Sequence, residues 1–196
     1  MTTRQEACDT VLAVFTDEPG AIASCELDSR GRHWVIFANT RAWVVDGLIE
    51  HCLVGAGAYL VDAADGALTV LGSAQDWQDY LQDLYDREDV GNAHYVLRPD
   101  YEEGDRSALV HVHRCLECSL ADANWLLRDS NRNWFTGARR ALLDAQARFG
   151  SLGVDMRLEV RDDPRQAVTL QQPVARESDL LQLLRERLAA RLQSGD

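Results

Sequence analysis

The chain has 196 residues, 46% of them apolar, and 32 acidic against 20 basic residues for a formal charge of −12. That apolar share excludes wholesale disorder, and the length suits one ordinary domain or two small ones. No apolar run reaches the ~18 residues of a membrane-spanning helix, and Met1 to Asp9 lacks the basic start and apolar core of a secretory signal, so a cytoplasmic protein without membrane contact is expected.

All 20 basic residues are arginine. Residues 1–106 hold 20 acidic residues and 7 arginines, a net of −13, whereas residues 107–196 hold 12 and 13, a net of +1. This break predicts two units with different surfaces. The acidic half repels phosphates, which argues against nucleic acid and for a protein partner with a basic surface. The five cysteines are an odd number without framework spacing, so reduced thiols are expected rather than disulfides.

Thr3 and Glu6 form a capping-box pattern ahead of Ala7, Cys8, Val11, Leu12 and Phe15 at helical spacing, and Pro19-Gly20 ends the run. Ala21–Leu27 and His33–Asn39 predict strands joined by a turn over 28–31. Arg41–Glu50 is an apolar insertion that reads first as a core strand, with Trp43, Asp46 and Glu50 as the partner contacts if it anchors another protein instead. Tyr59–Asp62 and Ala67–Leu71 flank Asp65-Gly66, a strong hairpin signal. Ser73 is the expected cap of a helix running to about Tyr85, with Trp77, Tyr80, Leu81 and Leu84 as its apolar stripe. Asp76, Asp79, Asp83 and Asp86 recur on its other face, extended by Glu88 and Asp89. That acidic stripe is either a solvated face or the docking site for a basic partner.

The stretch Leu53-Val54-Gly55-Ala56-Gly57-Ala58-Tyr59-Leu60-Val61-Asp62, with Asp65-Gly66, Leu71-Gly72-Ser73 and Trp77…Tyr80-Leu81, resembles the immunity protein 35 (YrhB-like) family over residues 3–88. The family has a glycine-rich lead into a strand, a glycine turn, a second strand and a closing helix. Ala58 stands where the family usually has proline, and Arg41–Cys52 is longer than in the family. The resemblance implies a bacterial immunity protein that binds and neutralises a cognate toxin, with no catalysis and no cofactor. A chaperone or adaptor with several clients is the alternative that the same family implies.

Tyr101–Arg106 reads as a linker, which puts the expected domains at 1–100 and 107–196. Beyond it, Ala108–Arg114 alternates like a strand, Ser119 and Asp122 cap a helix to Arg128, and Thr136–Phe149 forms a second helix ended by Gly150 and Gly153. Val154, Met156, Leu158 and Val160 alternate with charged residues as in a strand with one wet face. Ala167–Leu170 and Ser178–Gln193 add a short strand and a terminal helix. This order over 107–161 is similar to the C-terminal domain of ribosomal protein L7/L12, and suggests only an adaptor-like module. The expected fold class is therefore α+β, two small domains that each pack helices on a short, mainly antiparallel sheet.

His111, His113, Cys115 and Cys118 form the most metal-like cluster. On a strand the first three share a face, but at a rise of ~3.3 Å per residue they stand too far apart to close on one zinc ion without a bend. No metal site is assigned to them, and a zinc-binding protein stands as the lesser alternative to the immunity and chaperone readings. Gly55-Ala56-Gly57 precedes a strand, whereas phosphate-binding glycine loops open a helix. No nucleophile motif is present, so no catalytic residue and no enzyme activity is expected.

Overall fold

A computed structural model describes residues 1–102 and 104–194 of the chain. Glu103 of the expected linker and the terminal Gly195 and Asp196 lie outside the described residues. The fold is α+β, with seven α-helices among the described residues and two four-stranded sheets. The chain divides into two compact units, Met1–Leu81 and the residues from Gln82 onward.

In the first unit, helix α1 (Arg4–Leu12) starts with the full capping box: Thr3 Oγ1 accepts from Glu6 N, and Thr3 N donates to Glu6 Oε2 at 2.7 Å. Strands β1 (Gly20–Leu27), β2 (His33–Thr40), β3 (Ala56–Asp62) and β4 (Leu68–Gly72) follow as an antiparallel meander in that order. The β1–β2 turn is built on Asp28, whose carboxylate accepts the backbone N–H groups of Arg30, Arg32 and His33 at 2.7–3.0 Å. Cys25, Ile36 and Tyr59 stand in register across three strands, and Ala7 and Val11 of α1 join them in one buried cluster. Gly57 lies at a register shift between β3 and β4, where a Cβ would meet Gly72 O at 2.6 Å.

Arg41–Glu50 is not a strand. It forms a one-turn helix, α2 (Arg41–Val44), and a 3₁₀ turn at Ile49–His51. Thr40 Oγ1 accepts from Trp43 N and so caps a turn where a strand pattern was expected. The helix after β4, α3 (Trp77–Val90), begins three residues later than the Ser73 cap implies. Asp76 Oδ1 accepts from Gln78 N and Asp79 N, and two N–H groups on one carboxylate settle the start there.

The second unit corrects the expected boundary at residues 100–107. The division falls inside α3, and strand β5 (His94–Pro99), which the sequence reading left in the first domain, is central to the second sheet. Val96 and Leu97 are fully buried there, paired on one side with Thr136 and Phe135 and on the other with Glu159 and Leu158. The sheet order is β7-β5-β6-β8, with β6 (Phe135–Gly137) parallel to β8 (Val168–Leu170) and the remaining pairs, including β7 (Met156–Arg161), antiparallel.

Ala108–Arg114 is helical rather than extended, as part of α4 (Arg106–Leu116). Asp105 caps it by accepting from Ser107 N and Ala108 N, and the buried residues are Ala108, Val112 and Leu116, one every fourth position. Helix α5 (Leu120–Leu127) starts on Ser119 as expected. Helix α6 (Arg139–Ser151) starts three residues after Thr136, because Phe135–Gly137 is committed to the sheet. Over 107–161 the order is thus helix, helix, strand, helix, strand, which removes the strand-first order behind the L7/L12 likeness. Trp134, Phe135 and Phe149 form the aromatic centre of the core, with ring centroids 5.7–5.8 Å apart. Leu180 and Leu184 of α7 (Glu177–Ser194) join the same core.

Candidate protein-binding surface

The end of β2 holds the segment that follows it. Asn39 pairs with Leu53 twice: its Oδ1 accepts from Leu53 N at 2.9 Å and its Nδ2 donates to Leu53 O at 3.2 Å. Thr40 Oγ1 donates to His51 O at 2.6 Å. Gly47, in the left-handed region at φ 72°, lets the chain reverse between α2 and the 3₁₀ turn, and its N–H returns to Trp43 O. A loop of 13 residues is therefore tied to the sheet through its own backbone.

That scaffold presents apolar side chains outward. Val45, Ile49 and Val54 are 57%, 74% and 96% exposed, and Trp43, Leu48 and Leu53 are also open. Adjacent exposed apolar residues on an ordered segment are unusual in a monomer and mark interaction surfaces. Asp46 and Glu50 are exposed in the same segment, and His51 ties it to Glu18 at 3.2 Å. Trp43, Asp46 and Glu50, expected as partner contacts, are all exposed on this segment. Ile49 lies within the Arg41–Glu50 segment that the sequence offers as an anchor, whereas Leu53 and Val54 read in the sequence as a glycine-rich lead into a strand.

The acidic stripe is divided. Asp86 is buried, with Gln82 Nε2 on one oxygen at 2.8 Å and Arg139 3.9 Å from the other. Asp83 is half-buried and accepts from Arg140 at 3.3 Å. Both face α6, so these two carboxylates fasten α3 internally and are withdrawn from the predicted partner site. Asp76 is spent on capping. Asp79 is half-buried, and Glu88 and Asp89 are exposed. The charge break at residue 106 does not coincide with the structural division: residues 1–81 hold 12 acidic residues and 4 arginines, a net of −8.

The helical α4 also separates the metal-like cluster. His111 Nε2 lies 2.9 Å from Leu152 O, and His113 Nδ1 meets Cys118 O on another side. Among the described residues no group of three or more His, Cys, Asp or Glu is placed to hold a metal ion. Burial raises the Cys115 and Cys118 thiols above their ordinary range, in Cys118 with help from Asp122. Burial, then hydrogen bonding with Cys8, pushes the Cys25 thiol up to about 11. Among the described residues no helix is long and apolar enough to cross a membrane. No family model, no curated protein and no solved structure matches this chain.

Proposed function

We propose that this chain is an immunity-type binding protein, which holds a cognate bacterial toxin domain on the Trp43–Val54 surface of its first unit. Binding occludes the toxin's active site or its access to substrate, and this chain performs no bond-making chemistry. The observation that carries the reading is an ordered segment with Val45, Ile49 and Val54 more than half exposed. Because Asn39 and Thr40 hold the segment in place before any partner arrives, little ordering entropy opposes association. The carboxylates Asp46, Glu50 and Glu18 and the net charge of the first 81 residues favour a basic toxin surface. The resemblance of residues 3–88 to the immunity protein 35 family points the same way.

The test is titration of the purified chain with the toxin domain encoded beside its own gene. The double variant Ile49→Asp/Val54→Asp keeps its fold, because both side chains are exposed, and is expected to bind at least ~30-fold more weakly. Asp46→Arg/Glu50→Arg is expected to slow association, most at low salt. Unchanged affinity in the apolar variant overturns the surface. Failure of the unaltered chain to bind at low salt overturns the immunity reading. Suppression of aggregation of several unrelated unfolded proteins, lost in the apolar variant, assigns the surface to a general chaperone instead.

A further inference from the structure

Strand β7 is an outer strand of the second sheet and pairs with β5 alone. Successive residues of an antiparallel strand send their backbone groups to alternate sides. Asp100 N donates to Asp155 O at 2.8 Å, and the register runs on from there without a shift, so Arg157, Glu159 and Arg161 bond inward to β5. The bond from Trp134 N to Leu97 O, 3.1 Å, has the same phase: Leu97 faces β6, and Val96 and Arg98 face β7. The N–H and C=O groups of Leu158 and Val160 therefore point away from the sheet, and no group among the described residues bonds to them. Val160 is 54% exposed.

An open edge pairs readily with another strand, and the side chains of β7 decide which one. Arg157, Glu159 and Arg161 alternate in sign along one face, and Asp163 continues the row. Read backwards, plus-minus-plus-minus becomes minus-plus-minus-plus, so the row is complementary to its own antiparallel copy. The other sheet edges carry no such row: β1 holds only Glu26, and β4 and β8 hold no charged residue. The open backbone groups belong to even-numbered residues, which restricts the register to pairings that oppose those residues. Centred on Glu159 or Arg161, such a pairing sets like charges opposite each other. Centred on Leu158, it needs the carbonyl of Met156, which Gln146 Nε2 of α6 already occupies at 2.7 Å. Centred on Val160, it uses Leu158, Val160 and Asp162, and sets Glu159 opposite Arg161 and Arg157 opposite Asp163.

We infer that this chain self-associates through β7, two copies pairing antiparallel about Val160 so that their four-stranded sheets join edge to edge. Val160 exchanges both backbone bonds with its counterpart, and Leu158 of each copy bonds with Asp162 of the other. Within one chain Glu159 holds Arg161 at 2.7 Å and Arg157 at 3.7 Å; in the dimer it also gains the Arg161 of the second copy. The side chains of Arg157, Glu159 and Arg161 are 58%, 25% and 40% exposed, so a second strand reaches them without unpacking the core. The contact is short, which places it among weak, transient dimers. It involves the second unit alone, so its failure leaves the proposed toxin-binding surface untouched.

The test is sedimentation velocity of the full chain from ~5 to ~500 µM at low salt. The mass is expected to rise with concentration toward twice 21.9 kDa. Val160→Lys alters an exposed side chain and brings two ammonium groups together at the centre of the pairing, and is expected to weaken the dimer at least ~10-fold. Glu159→Arg and Arg161→Glu each set like charges opposite one another, and each alone is expected to stay monomeric. Their equimolar mixture is expected to restore the dimer, because each copy supplies the sign that the other lacks. A monomer over the whole range, a Val160→Lys dimer as tight as the parent's, or no dimer in the mixture of two folded charge variants overturns the inference. Val160→Lys keeps the test decisive should Glu159→Arg, which takes a partner from buried Arg98, fail to fold.

Discussion

Gly137 sits where β6 runs parallel to β8 and the chain turns into α6. Its φ of 136° is one that L side chains rarely adopt, and an added Cβ would lie 1.9 Å from Leu170 O and 2.7 Å from Leu170 C. Since both atoms are backbone, no rotamer change relieves the clash; relief needs the strands to separate by about 1.5 Å. Such a shift breaks the bond from Ala138 N to Leu170 O, 2.9 Å long, and loosens the one from Val168 N to Trp134 O. It also uncovers part of Leu170, now 4% exposed in the core. Two hydrogen bonds at ~1 kcal/mol each, ~1–3 kcal/mol of backbone strain and lost burial bring the expected cost of Gly137→Ala to about 4–6 kcal/mol. That is a large share of the ~5–15 kcal/mol that holds a domain together. Urea unfolding followed by tryptophan fluorescence reads it, because Trp134 is buried in this core. Gly150→Ala is the control: it lies in α6 with nothing within 4 Å of the added carbon, so it is expected to stabilise by ~0.5–1 kcal/mol. A loss below ~1 kcal/mol in Gly137→Ala would refute the clash argument.

Thr3→Ala removes the hydroxyl half of the α1 capping box, in which Thr3 Oγ1 accepts from Glu6 N, and leaves the backbone bond from residue 3 to Glu6 Oε2; it is expected to cost ~1 kcal/mol in the unfolding of the first unit, with the second unit's transition unmoved. Glu159 feels burial, which raises its pKa, but Arg161, Arg98 and Arg157 together outweigh it and hold the carboxyl below its usual value. Its stabilisation is therefore complete above the ordinary Glu range near ~4.3 and is lost as pH falls through the lowered native value; Glu159→Gln should show a shallower acid limb in melting temperature against pH, and an identical limb would contradict this. Cys25, with its thiol at about 11, carries ~100-fold less thiolate than an ordinary cysteine at pH 8 and should alkylate correspondingly slowly until the chain unfolds. Mass spectrometry of iodoacetamide labelling measures that lag, and labelling of Cys25 at the free-thiol rate would count against its burial.

Elements whose signal is local were legible in the sequence. The Thr3–Glu6 box, the Asp65-Gly66 hairpin and the Ser119 cap are short-range hydrogen-bond patterns, and each forms where its residues stand. The misread segments are those where two local patterns compete. Ala108–Arg114 alternates in polarity, yet Asp105 satisfies two N–H groups of a helix start and Ala108, Val112 and Leu116 make an equally good helical stripe. His94–Pro99 is short and follows a charged helix, and only its pairing with residues some 40 and 60 positions away makes it a central strand. The proposed partner surface is half legible in the sequence: the apolar run around Trp43 is visible, but not that Asn39 clamps Leu53 and leaves Ile49 and Val54 outside.

The acidic surplus invites a uniform electrostatic reading, and the structure argues against one. Asp83 and Asp86 face Arg140 and Arg139, Asp28 closes a turn, and Asp76 and Asp105 cap helices. Each of these carboxylates is held by donors within the fold, so reversing its charge tests stability before it tests steering. The carboxylates left to act on a partner are those with few internal obligations. In the first unit Asp46 and Glu50 lie on the exposed apolar loop, where, in the proposed complex, a desolvated contact gives affinity and the surrounding charge sets association rate. Variants at Asp83 or Asp86 therefore report on how α3 is fastened, and variants at Asp46 or Glu50 report on recognition.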